Sequence, residues 1–587
     1  MKKKKRLFAR LKACRKEIAT LALVMGPVVF LCVFSVVEEA SGQDTAGGRP
    51  RHPPPLLDKE PYLPPRDEVL KNVPPALETP KRHLPGEKIF IKEIKVTGST
   101  VFSNDELAKV TGPFMNRELS PEDLEDARRE LTLYYVKNGY INSGAVVPNQ
   151  EVTDGILTIQ IIEGQLTKIE IEEKRRFRPN YIKNRIELDT APPLNIFSLQ
   201  RRLQLLQQDP RIEQINAELR PGLRRGESEL GVEIKERSPY KFGFKFNNYE
   251  PPSVGAEEGE VFFLHENLTG NGDILSLAYG RSNGVSPDFD IFYSVPVTSR
   301  DTTATFHFQS CQFTVVEEPF EPLDIESELE VLGLTLRHPF YRNLHQELAL
   351  VLTGERLINE TFLLGEPFSF SPGAENGESR VTALRAAPEW IYRTQSQVFA
   401  CRSRFSYGLD ALGATMNADQ EIPDADFFSW LGQFQWAGRF GESGVETSFR
   451  LDIQLTNEPL LPIEQIAVGG RYTVRGYREN QMVRDNGLIA SVECRIPLVQ
   501  DRSWADFVQL VPFVDYGRAW NDGTSSSEQD YIASIGIGLR WGVTLTKPFN
   551  WQPQFEIYWG HPLKEVPNPR SDLQDNGIHA QIVIVSF

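Results

Sequence analysis

Apolar and polar positions alternate in three different ways along this chain of 587 residues. Residues 18–37 are apolar almost without interruption, residues 88–237 mix short alternating runs with helical spacing, and beyond Ser238 helical spacing vanishes. In KFGFKFNNY, Phe242, Phe244 and Phe246 share one face, while Lys241, Gly243, Lys245 and Asn247 share the other. That period of two is the apolar-out, polar-in dyad of a lipid-facing barrel strand. Leu275, Leu277 and Tyr279 repeat it, and Phe289, Ile291, Tyr293 and Val295 do so again, with aromatics suited to interfacial girdles. Strands of a soluble β-sandwich also alternate, so length has to decide. The segment from Ser238 to Phe587 holds about 350 residues, and at roughly 22 residues per strand and connection this predicts about sixteen antiparallel strands, an even number that closes without an edge. The last residues, IHAQIVIVSF, read as one more alternating strand ending in Phe587.

Ahead of the barrel the pattern predicts two small α+β units. In residues 88–164 a strand (IFIKEIKV) precedes a short helix over 104–109, opened by the capping pattern Ser103-Asn104-Asp105-Glu106. A longer helix follows Ser120, with Pro121 in its first turn, Leu124, Ala127, Leu131 and Tyr134 on one face, and Asn138-Gly139 as its stop. Strands near 145–147 and 156–162, joined through Thr153-Asp154-Gly155, complete the order β-α-α-β-β. Residues 165–237 repeat that order: strand LTKIEIE, helices over 181–187 and 196–208, then strands 212–220 and 228–236. Pro210 and Pro221-Gly222 punctuate the second unit.

The N-terminus reads as an export signal over residues 1–42: Lys2 to Lys5, Arg6, Arg10 and Arg15, then the apolar run, then Ala40-Ser41-Gly42 as a small-x-small site. An uncleaved anchor is the competing reading of that long apolar run, and Gly26-Pro27 in its middle favours cleavage. Residues 43–87 are dense in proline (RPRHPPP, EPYLPPRD, NVPPALETP), as in an extended linker; docking to a partner is the functional alternative. The whole chain carries a formal charge of −16, and beyond the signal 55 basic side chains face 77 acidic ones. That balance excludes nucleic acid as a partner. Cys14 and Cys32 fall in the signal, and Cys311, Cys401 and Cys494 stand singly, with no spacing for a metal site or a disulfide framework. No cofactor is expected, and no nucleophile elbow, HExxH or P-loop points to an enzyme.

One segment breaks the alternation. GGRYTVRGYREN, residues 469–480, sets a charged Val474-Arg475-Gly476-Tyr477 tetrapeptide among strands. Its glycines allow positive φ or close approach, and Arg475 offers a permanently charged fork for a carboxylate. An arginine in a loop that re-enters a barrel is costly unless a carboxylate meets it. VPFVDYGRAW holds Phe513, Asp515 and Gly517 on one strand face, so an aromatic and a small residue flank Asp515.

The segment 461–487 resembles the signature of TpsB-type two-partner secretion transporters, the ShlB/FhaC/HecB-like haemolysin secretion/activation proteins, relatives of the BamA-type assembly proteins. The two β-α-α-β-β units look like POTRA domains, and PLNIFSLQRRLQLLQQDPRIEQINAELRPGLRRGESELGVEI is similar to the second of the family. The resemblance implies an outer-membrane pore with periplasmic N-terminal domains that exports an unfolded exoprotein bearing an N-terminal secretion domain. A barrel-assembly factor of the BamA type is the alternative. It further implies that Asp515 pairs with Arg475 from the lumen wall, that Tyr477 packs against that wall, and that the pair either gates the pore or braces it. Outer-membrane lipid and, during biogenesis, the barrel-assembly machinery are the other expected partners. The client is expected in the groove between the helix Leu199, Leu203, Leu206 and the strand at Ile212, with core packing as the other reading of those side chains. In the best-known members a helix ahead of the linker plugs the lumen. Here RDEVLKN, residues 66–72, is the only candidate and spans barely two turns.

Overall fold

The computed structural model describes residues 70–71, 88–171, 176–419, 421–521, 530–546, 550–567 and 572–586. Residues 1–42, expected to be an export signal, nearly all of the proline-rich segment and Phe587 lie outside them. The chain forms two compact units, one built on Arg66–Arg237 and the other on the residues from Ser238 onward.

The N-terminal unit contains both predicted β-α-α-β-β arrangements. In the first, Glu93–Thr97 runs parallel to Ile156–Ile162, which pairs antiparallel with Gly144–Val146. The expected opening strand breaks at Lys92, because the backbone N–H groups of Lys92 and Glu93 both turn to the Gly155 carbonyl. Its first part, Ile89–Ile91, pairs instead with Arg117–Leu119, a strand too short for periodicity to announce. Helix α1 (Asn104–Thr111) carries the Ser103/Glu106 capping box, and α2 (Pro121–Lys137) carries a second box made by Ser120 and Asp123. The buried face of α2 is Ala127, Leu131 and Tyr135, with Leu124 and Tyr134 at its margin. The face therefore centres on Tyr135 where Tyr134 was expected. Tyr135 can be buried because its hydroxyl bonds to Ser99 Oγ at 2.7 Å, and burial pushes the phenol up to about 12.

In the second arrangement, Glu227–Glu236 lies between Gln165–Ile171, parallel to it, and Ile212–Pro221, antiparallel to it. Helices α3 (Pro179–Glu187) and α4 (Ile196–Gln207) cover one face of this sheet. Leu70–Lys71, within the helix candidate, forms a short strand pairing in parallel with Ala217–Glu218. The two arrangements are tied directly: Leu194 N–H donates to Gly164 O at 2.7 Å, Ile196 N–H to Gly139 O at 2.8 Å, and Asn195 Nδ2 to Asn138 O at 3.0 Å.

The C-terminal unit is a closed antiparallel barrel of sixteen strands. In its first half these are β1 (Tyr240–Asn247), β2 (Glu258–Glu266), β3 (Ile274–Arg281), β4 (Val285–Pro296), β5 (Thr303–Thr314), β6 (Ile325–Arg342), β7 (Gln346–Leu363) and β8 (Glu378–Arg393). There follow β9 (Gln397–Gly408), β10 (Phe428–Phe440), β11 (Val445–Thr456), β12 (Asn486–Arg502), β13 (Ala505–Trp520), β14 (Tyr531–Gly542), β15 (Trp551–Pro562) and β16 (Ile578–Ser586). Pairing of Gly243–Asn247 with Gln581–Val585 closes the ring, which removes every edge. The predicted dyad is present: Phe242, Phe244 and Phe246 point outward, while Lys245 and Asn247 are buried inside against Glu260 and Glu258 at 2.9 and 3.0 Å. Tyr279 and Phe289 face each other across β3 and β4, ring centroids 5.0 Å apart.

Candidate functional site

Residues 457–485 connect β11 to β12 and fold against the inner wall of the barrel. A two-stranded ribbon, Ile466–Val468 with Met482–Arg484, stiffens the connection and presents residues 469–480 as its tip. Gly469, Gly470 and Gly476 all take positive φ, at 121°, 98° and 95°. Gly476 also needs its missing side chain, since a Cβ there would meet Gly560 O at 2.8 Å. Its N–H donates to His579 Nε2 on β16 at 3.3 Å.

Arg475 is the centre of the arrangement. Its Nε and Nη2 donate to Asp515 Oδ2 and Oδ1 at 2.8 and 2.9 Å, and its backbone N–H adds a third bond to Oδ2 at 3.0 Å. The guanidinium stacks over the Phe513 ring, 3.7 Å from the centroid, so the aromatic covers the ion pair from one side. On the other flank of Asp515, Gly517 leaves the space that Val468 and Val474 fill; a Cβ would approach Val468 Cγ1 to 2.3 Å. Both partners are almost wholly buried, Arg475 at 3% and Asp515 at 0% exposed. Tyr477 is buried too, but its hydroxyl leaves the Phe513–Gly517 face and lies 2.8 Å from the carbonyls of Ala533 on β14 and Lys564 beyond β15.

Further polar partners complete the seat. Glu493 accepts from Arg475 Nη1 at 2.8 Å, and Ser491 accepts from Nη2 at 3.2 Å while donating to Asp515 Oδ1 at 2.6 Å. Both face inward on β12, and register places Ser491 opposite Asp515 and Glu493 opposite Phe513. Inward alternation on β12 was the signal that could have found them. Arg471 meets Glu556 at 3.0 Å and lies over Tyr558, and Arg478 reaches both Glu317 and Asp575 in the β5–β6 and β15–β16 connections. No local spacing links those partners. The tip is thus held by three arginines, each met by at least one carboxylate, as a buried charge requires.

The predicted client-facing side chains are elsewhere and cannot serve as a contact surface. Leu199 and Leu203 are 0% exposed, Leu206 6% and Ile212 2%, packed with Leu230 and Val232 in the core of the second small unit. Helical spacing marks an apolar face equally whether that face binds a partner or its own sheet, and here the sheet covers it. Among the described residues no group of three or more His, Cys, Asp or Glu side chains is placed to hold a metal ion.

The family model described as haemolysin secretion/activation protein ShlB/FhaC/HecB matches residues 226–541, and that of the ShlB-type POTRA domain matches residues 89–164. The outer membrane transporter CdiB of Dickeya dadantii (strain 3937) is 21% identical over 497 residues, covering 81% of this chain and 85% of that protein. The hemolysin transporter protein ShlB of Serratia marcescens is 22% identical over 495 residues, covering 80% and 81%. Among solved structures, CdiB from Escherichia coli shares the fold with a TM-score of 0.64 at 19% identity, over 87% of this chain and 94% of that one. With a matching family model over more than half its length, on a sixteen-strand barrel preceded by a POTRA domain, the chain belongs to the haemolysin secretion/activation protein family ShlB/FhaC/HecB.

Proposed function

We propose that the tip carrying Arg475 is the gate of an outer-membrane two-partner secretion pore, held shut by Asp515 and released when an unfolded exoprotein passes. The observation that carries this reading is the three-bond contact of Arg475 with Asp515. It fixes a loop, which has two ends and can move, to a wall strand, which cannot. A brace of the wall alone would use wall residues on both sides. The bidentate geometry gives the closed position a defined register, and breaking it exposes two charges to the lumen.

The client is captured first by the POTRA units. An extended segment adds as a strand to the outer edge of Ile212–Pro221, through backbone groups, and so needs no fixed side-chain sequence. Pairing of Leu70–Lys71 with Ala217–Glu218 supports this, since that edge accepts an extended chain. By likeness to the hemolysin transporter of Serratia marcescens, the client is a hemolysin-class exoprotein. The outward phenylalanines contact outer-membrane lipid, and the C-terminal strand is read by the barrel-assembly machinery during biogenesis. Folding of the client outside the cell supplies directionality.

Arg475→Ala tests the gate. The variant inserts as a heat-modifiable barrel but secretes a co-expressed partner poorly. Secretion at the wild-type level would leave the pair as a static brace. Unchanged partner pull-down after deletion of both 88–164 and 165–237 would remove the capture step.

A further inference from the structure

We propose that the same loop has a second latch at its root, made by Arg385 and Glu464, which keeps the root on the β7–β9 wall while the tip moves. The proposal rests on the gating reading above and adds a hinge to it. Pro462–Glu464 forms a single 3-10 turn just after β11, and Glu464 uses both carboxylate oxygens there: Arg385 Nη1 donates to Oε2 at 3.0 Å and Nη2 to Oε1 at 2.6 Å. Arg385 stands on β8, and its remaining directions go to the wall itself, Nε to Glu355 Oε2 on β7 at 2.7 Å and Nη1 to Ser406 Oγ on β9 at 2.8 Å. Arg385 and Glu464 are both buried.

Two features separate this contact from an ordinary brace. Glu355 alone would neutralise Arg385 across neighbouring strands, so the second carboxylate, from the loop, adds a link that the wall does not require. The link also reaches away from the loop's own strand, since β8 is three strands round the ring from β11. Apolar packing points the same way. Leu460, Leu461 and Ile463 are buried against Val331, Leu357, Val381 and Phe427, on the same side of the barrel as Arg385. The tip is seated instead through Arg475 on β12 and β13, through Arg471 on β15 and through Arg478 on the β5–β6 and β15–β16 connections. Root and tip therefore have separate seats. Releasing the tip contacts of Arg471, Arg475 and Arg478 frees residues 469–480 to swing about a root that stays in place, and breaking the root contact loosens the base from which the tip is aimed.

The test uses the full-length protein in planar lipid bilayers, with heat-modifiable electrophoretic mobility confirming a folded barrel. Glu464→Gln removes the charge of the loop partner and leaves Arg385 with Glu355; Glu355→Gln does the reverse. The expected result is an open-time fraction raised about tenfold or more in Glu464→Gln, the effect of losing a charge-assisted bond, with Glu355→Gln near wild type. Arg475→Ala is the reference for the tip. Wild-type behaviour of Glu464→Gln beside an opened Arg475→Ala overturns the root latch and leaves the gate standing. Equal opening in Glu464→Gln and Glu355→Gln reduces Arg385 to a wall brace and overturns it as well. A closed Arg475→Ala overturns the gate together with its hinge. Should Glu464→Gln fail to fold, Arg385→Lys, which keeps the charge and loses the fork, is judged by the same criteria.

Discussion

Asp515 receives three hydrogen bonds from the single residue Arg475, one from the backbone N–H at 3.0 Å and two from the guanidinium at 2.8 and 2.9 Å. Main chain and side chain of the loop are thereby fixed by one carboxylate, so position and orientation of the tip are set together.

The pair should behave as a unit. Arg475→Ala strands Asp515 and costs the seated loop about 3–5 kcal/mol, whereas Asp515→Ala leaves Arg475 with Glu493 and costs less. The double variant should cost less than the sum of the two. Hydrogen–deuterium exchange of the amides in residues 469–480, measured on the detergent-solubilised protein, reads each cost. Strict additivity would mean that the two residues are not coupled.

Close approach at the glycines is the second test. Gly476→Ala places an L-residue at φ 95°, costing roughly 1–2 kcal/mol, and drives its Cβ to 2.8 Å from Gly560 O. Gly517→Ala collides with Val468. Both should raise exchange in the tip and lower secretion. Gly441→Ala provides the contrast, for Gly441 has φ 60° but nothing within 4 Å of the added Cβ. It should secrete normally.

Because Leu203 is core, its size matters and its identity does not. Leu203→Ala should destabilise the second small α+β unit by about 2–5 kcal/mol and abolish client capture with it. Leu203→Met keeps the volume, costs less than about 1.5 kcal/mol, and should capture the client as wild type does. Urea-dependent pulse proteolysis of the full chain and partner pull-down report the two quantities. Weakened capture by a stable Leu203→Met would return this side chain to the binding surface.

The pH dependence of the second small α+β unit should carry the mark of Asp209. Burial opposes its ionisation, but the Arg211 guanidinium and backbone N–H, with the Tyr181 hydroxyl, hold the carboxyl below its usual range. A depressed folded-state value means that the stabilisation is complete above the unfolded aspartate range, near about 3.9, and fades as pH falls through the folded value. Asp209→Asn should therefore destabilise the unit by roughly 1.5–3 kcal/mol at pH 7 and by progressively less in acid. Pulse proteolysis across pH 7 to 3 measures the convergence. A gap constant with pH would assign the effect to packing.

Local rules made much of this protein readable. Helix starts were marked by Ser103 and Ser120 because capping is settled within four residues, and barrel strands by Phe242, Phe244 and Phe246 because side chains alternate strictly along a strand. Tyr135, and not Tyr134, continues the i, i+4 series of Ala127 and Leu131 on the buried face, and Ser99, distant in sequence, bonds its hydroxyl. The leucines of α4 carried one pattern with two meanings, and only the sheet beneath them chose between a core and a binding face.

The sequence by itself determined the two α+β units, the sixteen-strand barrel and, through the likeness of its motifs, the pairing of Arg475 with Asp515. Tertiary structure decided the rest of the seat: Glu493 and Ser491 beside the pair, Glu556 against Arg471, Glu317 and Asp575 on Arg478, and Glu464 on Arg385. The division has a physical cause. Caps, turns and alternation act between residues a few positions apart, whereas closing the barrel and folding a loop against its wall bring together charges from distant strands. A buried arginine announces that it needs a carboxylate, but only the closed ring determines which one it meets.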